Sequence, residues 1–147
     1  MTFADELMNQ QAEVVLETNT REQLLAEARK ARPQEMCGAL LGACDFGSWW
    51  RVVDLLPLQN QAGNAEREYF ISGQQVLEAE RAAHARGLQV IGFYHSHPAS
   101  PAEPSRTDLE RAWPGYLYII AGAQSGMVGC WTLGLDRTAF RPLSALP

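Results

Sequence analysis

The stretch Leu88-Gln89-Val90-Ile91-Gly92-Phe93-Tyr94-His95-Ser96-His97-Pro98 decides how this chain is read. Its first eight residues are mostly apolar and predict a strand over Leu88 to His95. Side-chain direction in a strand repeats every two residues, so His95 and His97 face the same side at the strand's exit. Pro98, Pro101 and Pro104 stiffen the loop behind it. Ser105-Arg106-Thr107-Asp108 then has the form of a capping box and opens a short helix that ends before Pro114. The loop from Pro98 to Pro104 is long enough to turn back and present Asp108 near the strand end.

Working outward, Val14 to Leu16 reads as a short strand. Thr20 and Gln23 suggest a capping box, followed by a helix with Leu24, Leu25 and Ala28 on one face. Pro33 stops that helix at or before Arg32. Glu35 to Gly42 reads as a buried strand with a carboxylate in its first turn. Trp49 to Leu56 predicts a strand, Pro57 to Arg67 a loop and Glu68 to Ile71 a further short strand. Ser72 and Gln75 offer another capping box, with Val76, Leu77, Ala79 and Ala83 as the buried side and Gly87 as the terminator. Strands are expected at Tyr116 to Ala121 and Met127 to Leu133, with a last edge strand at Ala139 to Leu143. Of the adjacent Trp49 and Trp50, one should face the core and the other solvent. Residues 1–12 are expected to be a flexible arm and 13–147 a single domain. The order of elements suits an α/β fold, an α+β sandwich with helices on a mixed, largely antiparallel sheet.

The bulk numbers exclude several classes of function. The chain has 147 residues, 46% of them hydrophobic and 20% charged, with a formal net charge of -5. Lys30 is the only lysine and no basic run occurs, which argues against a nucleic-acid partner. Cys37, Cys44 and Cys130 are odd in number and lack a C-x-x-C spacing, so neither a disulfide framework nor a thiolate metal site is expected, and a cytoplasmic, reducing location is. No signal peptide is seen, and the longest apolar runs are too short to span a membrane.

Two histidines and an aspartate leave a fourth position open on a zinc ion, the arrangement of a hydrolytic rather than a structural site. Such a metal lowers the pKa of water to roughly 7 and polarises a carbonyl. A carboxylate must then move the proton. Glu35, fixed between a proline stop and a buried strand, competes for that role with Glu66 and Glu68 on composition alone. His84, between alanines in a helix, reads as a solvated side chain.

The sequence resembles the JAMM (MPN-plus) metallopeptidases. Their pattern is a distant Glu, then H-x-H-P, six residues, Ser, two residues and Asp. Here it runs His95-Ser96-His97-Pro98, Ala99 to Pro104, Ser105 and Asp108 without departure, with Pro33-Gln34-Glu35-Met36-Cys37-Gly38 looking like the Glu-bearing strand. The likeness extends from about Val14 to Trp131. It implies an MPN/cytidine-deaminase-like fold with one Zn2+ per chain, bound by His95, His97 and Asp108. Glu35 would activate the attacking water and Ser105 would donate to the oxyanion. The implied substrate is a peptide or isopeptide bond after the glycine-ended tail of a ubiquitin-like or sulfur-carrier protein. The short length resembles the compact prokaryotic members. A non-catalytic MPN-type scaffold is the alternative class, and a homodimer is left open.

Overall fold

The computed structural model of the protein describes residues 13–45, 48–134 and 137–147. The expected arm, residues 1–12, lies outside them. In chain order the elements are β1 (Glu13–Val15), α1 (Thr18–Ala31), β2 (Cys37–Asp45), β3 (Trp49–Leu58), α2 (Gly73–Ala85), β4 (Gln89–His97), α3 (Arg106–Arg111), β5 (Leu117–Gly122), β6 (Val128–Leu133) and β7 (Phe140–Leu146).

The strands form a closed barrel in the order β1-β3-β2-β4-β5-β6-β7, with β1 returning to β7. Four pairings are antiparallel (β2 with β3 and β4, β5 with β6, β6 with β7) and three are parallel (β1 with β3 and β7, β4 with β5). The mixed α+β class is as expected, but the last strand is no edge. β7 is longer than Ala139 to Leu143 and pairs on both sides, since β1 supplies Glu13–Val15 as a parallel partner that covers its free hydrogen-bonding groups.

Neighbouring residues of one strand belong to different apolar clusters, which places the two long helices on opposite faces. Leu24 and Ala28 of α1 pack with Leu40, Trp50, Tyr94 and Ile119. Ala79 and Ala83 of α2 pack with Ala39, Leu41, Phe93 and Tyr118. β2 and β4 are therefore buried on both faces, which explains their near-continuous apolar runs. Each fully buried Leu or Ile side chain contributes roughly 1.5–3 kcal/mol. Gly92 permits the closest step in this arrangement, because a Cβ there would collide with the Leu117 carbonyl of β5.

Other local expectations are corrected by their surroundings. The first long helix begins at Thr18 with Glu17 at its N-cap and no side-chain cap, so Thr20 lies inside the helix and is not its cap. Glu68 to Ile71 is not a strand. Its backbone is tied instead to Asn60, whose amide donates to the Glu68 carbonyl and accepts from Phe70 N, and to Arg111, which donates to the Tyr69 carbonyl. Leu77 is 42% exposed, and the buried face of α2 carries Gln75 in its place, held by the Gln59 carbonyl. The Ser72 capping box forms with Gln75, and Gly87 follows α2 with φ 70°. Trp50 is fully buried and Trp49 exposed.

Candidate metal centre

Three parts of the chain converge at the C-terminal end of β4: the segment before β2, the start of α3 and the strand itself. That strand runs through His97, so both histidines leave the same face, and their Nε2 atoms lie 3.2 Å apart. Ser105 caps α3, and the same first turn brings Asp108 Oδ2 to 3.1 Å from His95 Nε2 and 3.2 Å from His97 Nε2. Glu35 stands just before β2, with a carboxylate oxygen grouped with the two imidazoles such that all three donor atoms lie within 4.8 Å of one another. His95, His97, Asp108 and Glu35 are all at most 6% exposed. Ser105 itself is exposed.

Hydrogen bonds to neighbouring groups fix two of these side chains, His97 and Asp108. His97 Nδ1 donates to the Pro101 carbonyl at 2.7 Å, which turns Nε2 toward the centre. The Ser105 amide donates to Asp108 Oδ2 at 2.8 Å, while Ser105 Oγ accepts from the Asp108 amide at 3.0 Å. That cap uses Oγ as an acceptor and leaves its O–H as a spare donor.

Five positioning contacts have no counterpart in the sequence reading. Ser96, fully buried between the histidines, points to the other face, where its Oγ accepts from Met36 N at 2.9 Å and its amide donates to the Met36 carbonyl at 3.0 Å. Asn60 Nδ2 donates to the Glu35 carbonyl at 3.0 Å, and Glu35 N donates to the Ala65 carbonyl at 2.7 Å. Tyr69 stacks on the His95 ring, with centroids 4.2 Å apart and planes 21° from parallel. The period-two pattern announces the direction of Ser96, but nothing local in sequence announces partners 60 residues away.

Charge follows from burial and contact. Burial pushes the Glu35 carboxyl up to about 8, with the His97 charge pulling against it. Burial holds His95 below the usual histidine range against the pull of Asp108. For His97 burial also acts downward, but hydrogen bonds with Asp108 and the Pro101 carbonyl outweigh it and leave the ring above that range. Asp108 is desolvated too, yet the two histidines and the Ser105 amide hold it far below the carboxylate range.

The donor set fits a small borderline cation. Zinc bonds of about 2.05 Å at tetrahedral angles place adjacent ligand atoms about 3.3 Å apart. The three separations among His95, His97 and Asp108 are 3.1, 3.2 and 3.2 Å. Glu35 Oε1 is buried without a hydrogen-bond partner among the described residues. A buried polar atom of this kind calls for a water, an ion or a substrate group.

Several known proteins are similar to this chain. The chain is 35% identical over 123 residues to a desampylase of Haloferax volcanii, covering 80% of this chain and 86% of that protein. It is 30% identical over 105 residues to a CysO-cysteine peptidase of Mycobacterium tuberculosis, covering 69% of this chain and 67% of that protein. A solution structure of a Desulfitobacterium hafniense protein superposes with a TM-score of 0.78 at 27% identity, covering 92% of this chain and 91% of the other. Residues 17–134, from before α1 to just past β6 and with every residue of the centre among them, match the prokaryotic homologs of the JAB domain, the family to which this chain belongs.

Proposed function

We propose that this protein is a zinc-dependent peptidase that cuts the bond after the glycine-ended tail of a ubiquitin-like or sulfur-carrier protein. Residues 13–147 act as one metallopeptidase domain. The observation that carries the reading is the set of three near-equal separations among His95 Nε2, His97 Nε2 and Asp108 Oδ2, beside a buried carboxyl with no partner. The names of the two relatives support the substrate class, one being a desampylase and the other a CysO-cysteine peptidase.

His95, His97 and Asp108 hold the metal. Asp108 is preferred to Glu35 as third ligand because its oxygen makes direct contact with both imidazole nitrogens, whereas Glu35 belongs to the group only within 4.8 Å. Zinc supplies Lewis acidity toward the scissile carbonyl and lowers the pKa of water. Glu35 takes a proton from the attacking water and passes it to the leaving amine, a task its buried place beside the two imidazoles supports. The spare O–H of Ser105 donates to the oxyanion. The three cysteines are all free thiols, which supports a reducing cytoplasm as the working compartment.

Metal content measured by elemental analysis beside a His97→Ala variant tests the reading. Near-stoichiometric zinc that disappears in the variant is the expected result. Absence of zinc in both proteins after supplementation refutes the peptidase and favours a non-catalytic scaffold.

A further inference from the structure

Glu35 stands outside the sheet, since β2 begins at Cys37. Its own peptide groups therefore need partners elsewhere. Both find them in the loop that follows β3. Glu35 N donates to the Ala65 carbonyl at 2.7 Å, and the Glu35 carbonyl accepts from Asn60 Nδ2 at 3.0 Å. Gln61 N closes the neck of this loop by donating to the Phe70 carbonyl at 3.1 Å. Glu66 and Arg67 of the same loop line a cleft beside Glu35. Tyr69, near the end of the loop, lies on the His95 ring.

These contacts meet on Asn60. Its Nδ2 bridges the carbonyls of Glu35 and Glu68, each at 3.0 Å, and its Oδ1 accepts from Ala62 N at 3.0 Å and from Phe70 N at 3.1 Å. Two N–H donors and two lone pairs are all that a primary amide offers, and here each has a partner. The two carbonyls also fix which way the amide is turned, because the opposite orientation would set its oxygen against both of them. The peptide groups held at Glu68 and Phe70 flank Tyr69 on either side. One side chain thus fastens the carboxyl-bearing residue and the residue whose ring stacks on His95.

We propose that Asn60 is a positioning residue for the hydrolysis, setting the Glu35 carboxyl relative to His95 by tying both to one loop. This assignment rests on the proposed role of Glu35. A base must stay within hydrogen-bond reach of the proton it takes, and a displacement of about 1 Å can cost about a hundredfold in rate. Asn60 acts on that distance through the Glu35 carbonyl and through the backbone around Tyr69. The requirement is for an amide. Aspartate has the same shape and keeps the acceptor contacts with Ala62 and Phe70, but it has no donor for the carbonyls of Glu35 and Glu68. Serine adds no charge and is too short to bridge those carbonyls.

The test compares zinc-loaded wild type, Asn60→Asp and Asn60→Ser on a glycine-ended ubiquitin-like carrier fused to a short peptide. In both variants kcat should fall about tenfold with KM within about twofold of wild type, because the base is displaced while substrate binding is not. Zinc content should stay near wild type. Exchange of the Glu35 amide proton, followed by nuclear magnetic resonance, should quicken about tenfold, although that proton is bonded to Ala65 and not to Asn60. A merely structural role would lower the urea midpoint and leave kcat, KM and that exchange rate at wild-type values, and this result overturns the proposal. A loss of zinc that matches the loss of activity overturns it too, as does a loss confined to Asn60→Asp, which would be an effect of added charge. If only one variant folds, its values decide; if neither folds, Asn60 is a folding residue and the proposal falls. If the wild type cuts no carrier fusion, the peptidase reading fails and the exchange rate decides alone: a faster Glu35 amide sustains the tether, and an unchanged one overturns it.

Discussion

Ser96→Ala tests whether the strand bearing the histidines also positions Glu35. Ser96 is fully buried, and its Oγ is the acceptor for the Met36 amide at 2.9 Å. Alanine fits the same space but leaves that N–H without an acceptor in a half-buried place. The cost of such an orphan is about 1–2 kcal/mol, since the amide loses both its protein partner and ready access to water. Urea unfolding should show this as a lower midpoint with an unchanged slope, because the surface exposed on unfolding does not change. The second effect is local. Met36 joins Glu35 to Cys37, which pairs with His95 in the β2–β4 ladder. Loosening Met36 shifts the carboxyl while leaving His95, His97 and Asp108 in place. Zinc content should therefore stay near wild type while kcat falls about tenfold, a modest share of the roughly hundredfold effect that a misplacement of 1 Å can have. A variant with wild-type stability and wild-type kcat refutes the coupling. Loss of zinc in proportion to kcat would mean that Ser96 supports the ligands instead of Glu35.

Glu35→Gln should retain zinc and lose hydrolysis, measured by elemental analysis and cleavage of a carrier fusion. In the metal-stripped protein the folded-state pKa of Glu35 is raised, so its stabilising contribution is complete below pH 4.5 and is lost as pH rises through about 8. The variant should accordingly gain on wild type in urea between pH 5 and pH 8, by about 2 kcal/mol after allowance for solvent at the cleft mouth; a pH-independent gap would contradict burial of the carboxyl. Gly92→Ala should abolish soluble folded protein, because its Cβ meets the Leu117 carbonyl across β4 and β5, and a normal circular dichroism melt would refute that reading. Cys44, half-buried, should react first with a thiol reagent in native protein at pH 8, since burial pushes the thiols of Cys37 and Cys130 up to about 12. Mass mapping that finds Cys130 labelled first would contradict it.

What could be read from sequence divides by the range of the interactions involved. The strand carrying His95 and His97, the Ser105 cap and the place of Asp108 rest on contacts within about a dozen residues, and periodicity and capping rules describe such contacts well. The Ser72 cap was legible for the same reason. The closure of β7 onto β1 was not, because it pairs residues more than a hundred positions apart and only tertiary structure supplies that partner. Glu68 to Ile71 failed as a strand for a related reason. Its backbone groups are satisfied by the Asn60 side chain and by Arg111, and alternation of residue types carries no record of either. The same division runs through the centre. His95, His97 and Asp108 lie within fourteen residues of chain, so their grouping follows from one strand, one loop and one cap. Glu35 reaches them across the β2–β4 ladder, and composition alone does not separate it from Glu66 and Glu68, whereas the family pattern does. The fold now separates the three: Glu35 is buried beside the imidazoles, Glu66 is exposed at the cleft rim and Glu68 is paired with Arg111. A carboxyl enclosed this way lacks the solvation that its two neighbours keep, and that difference is the physical argument for the proposed assignment of proton transfer to Glu35.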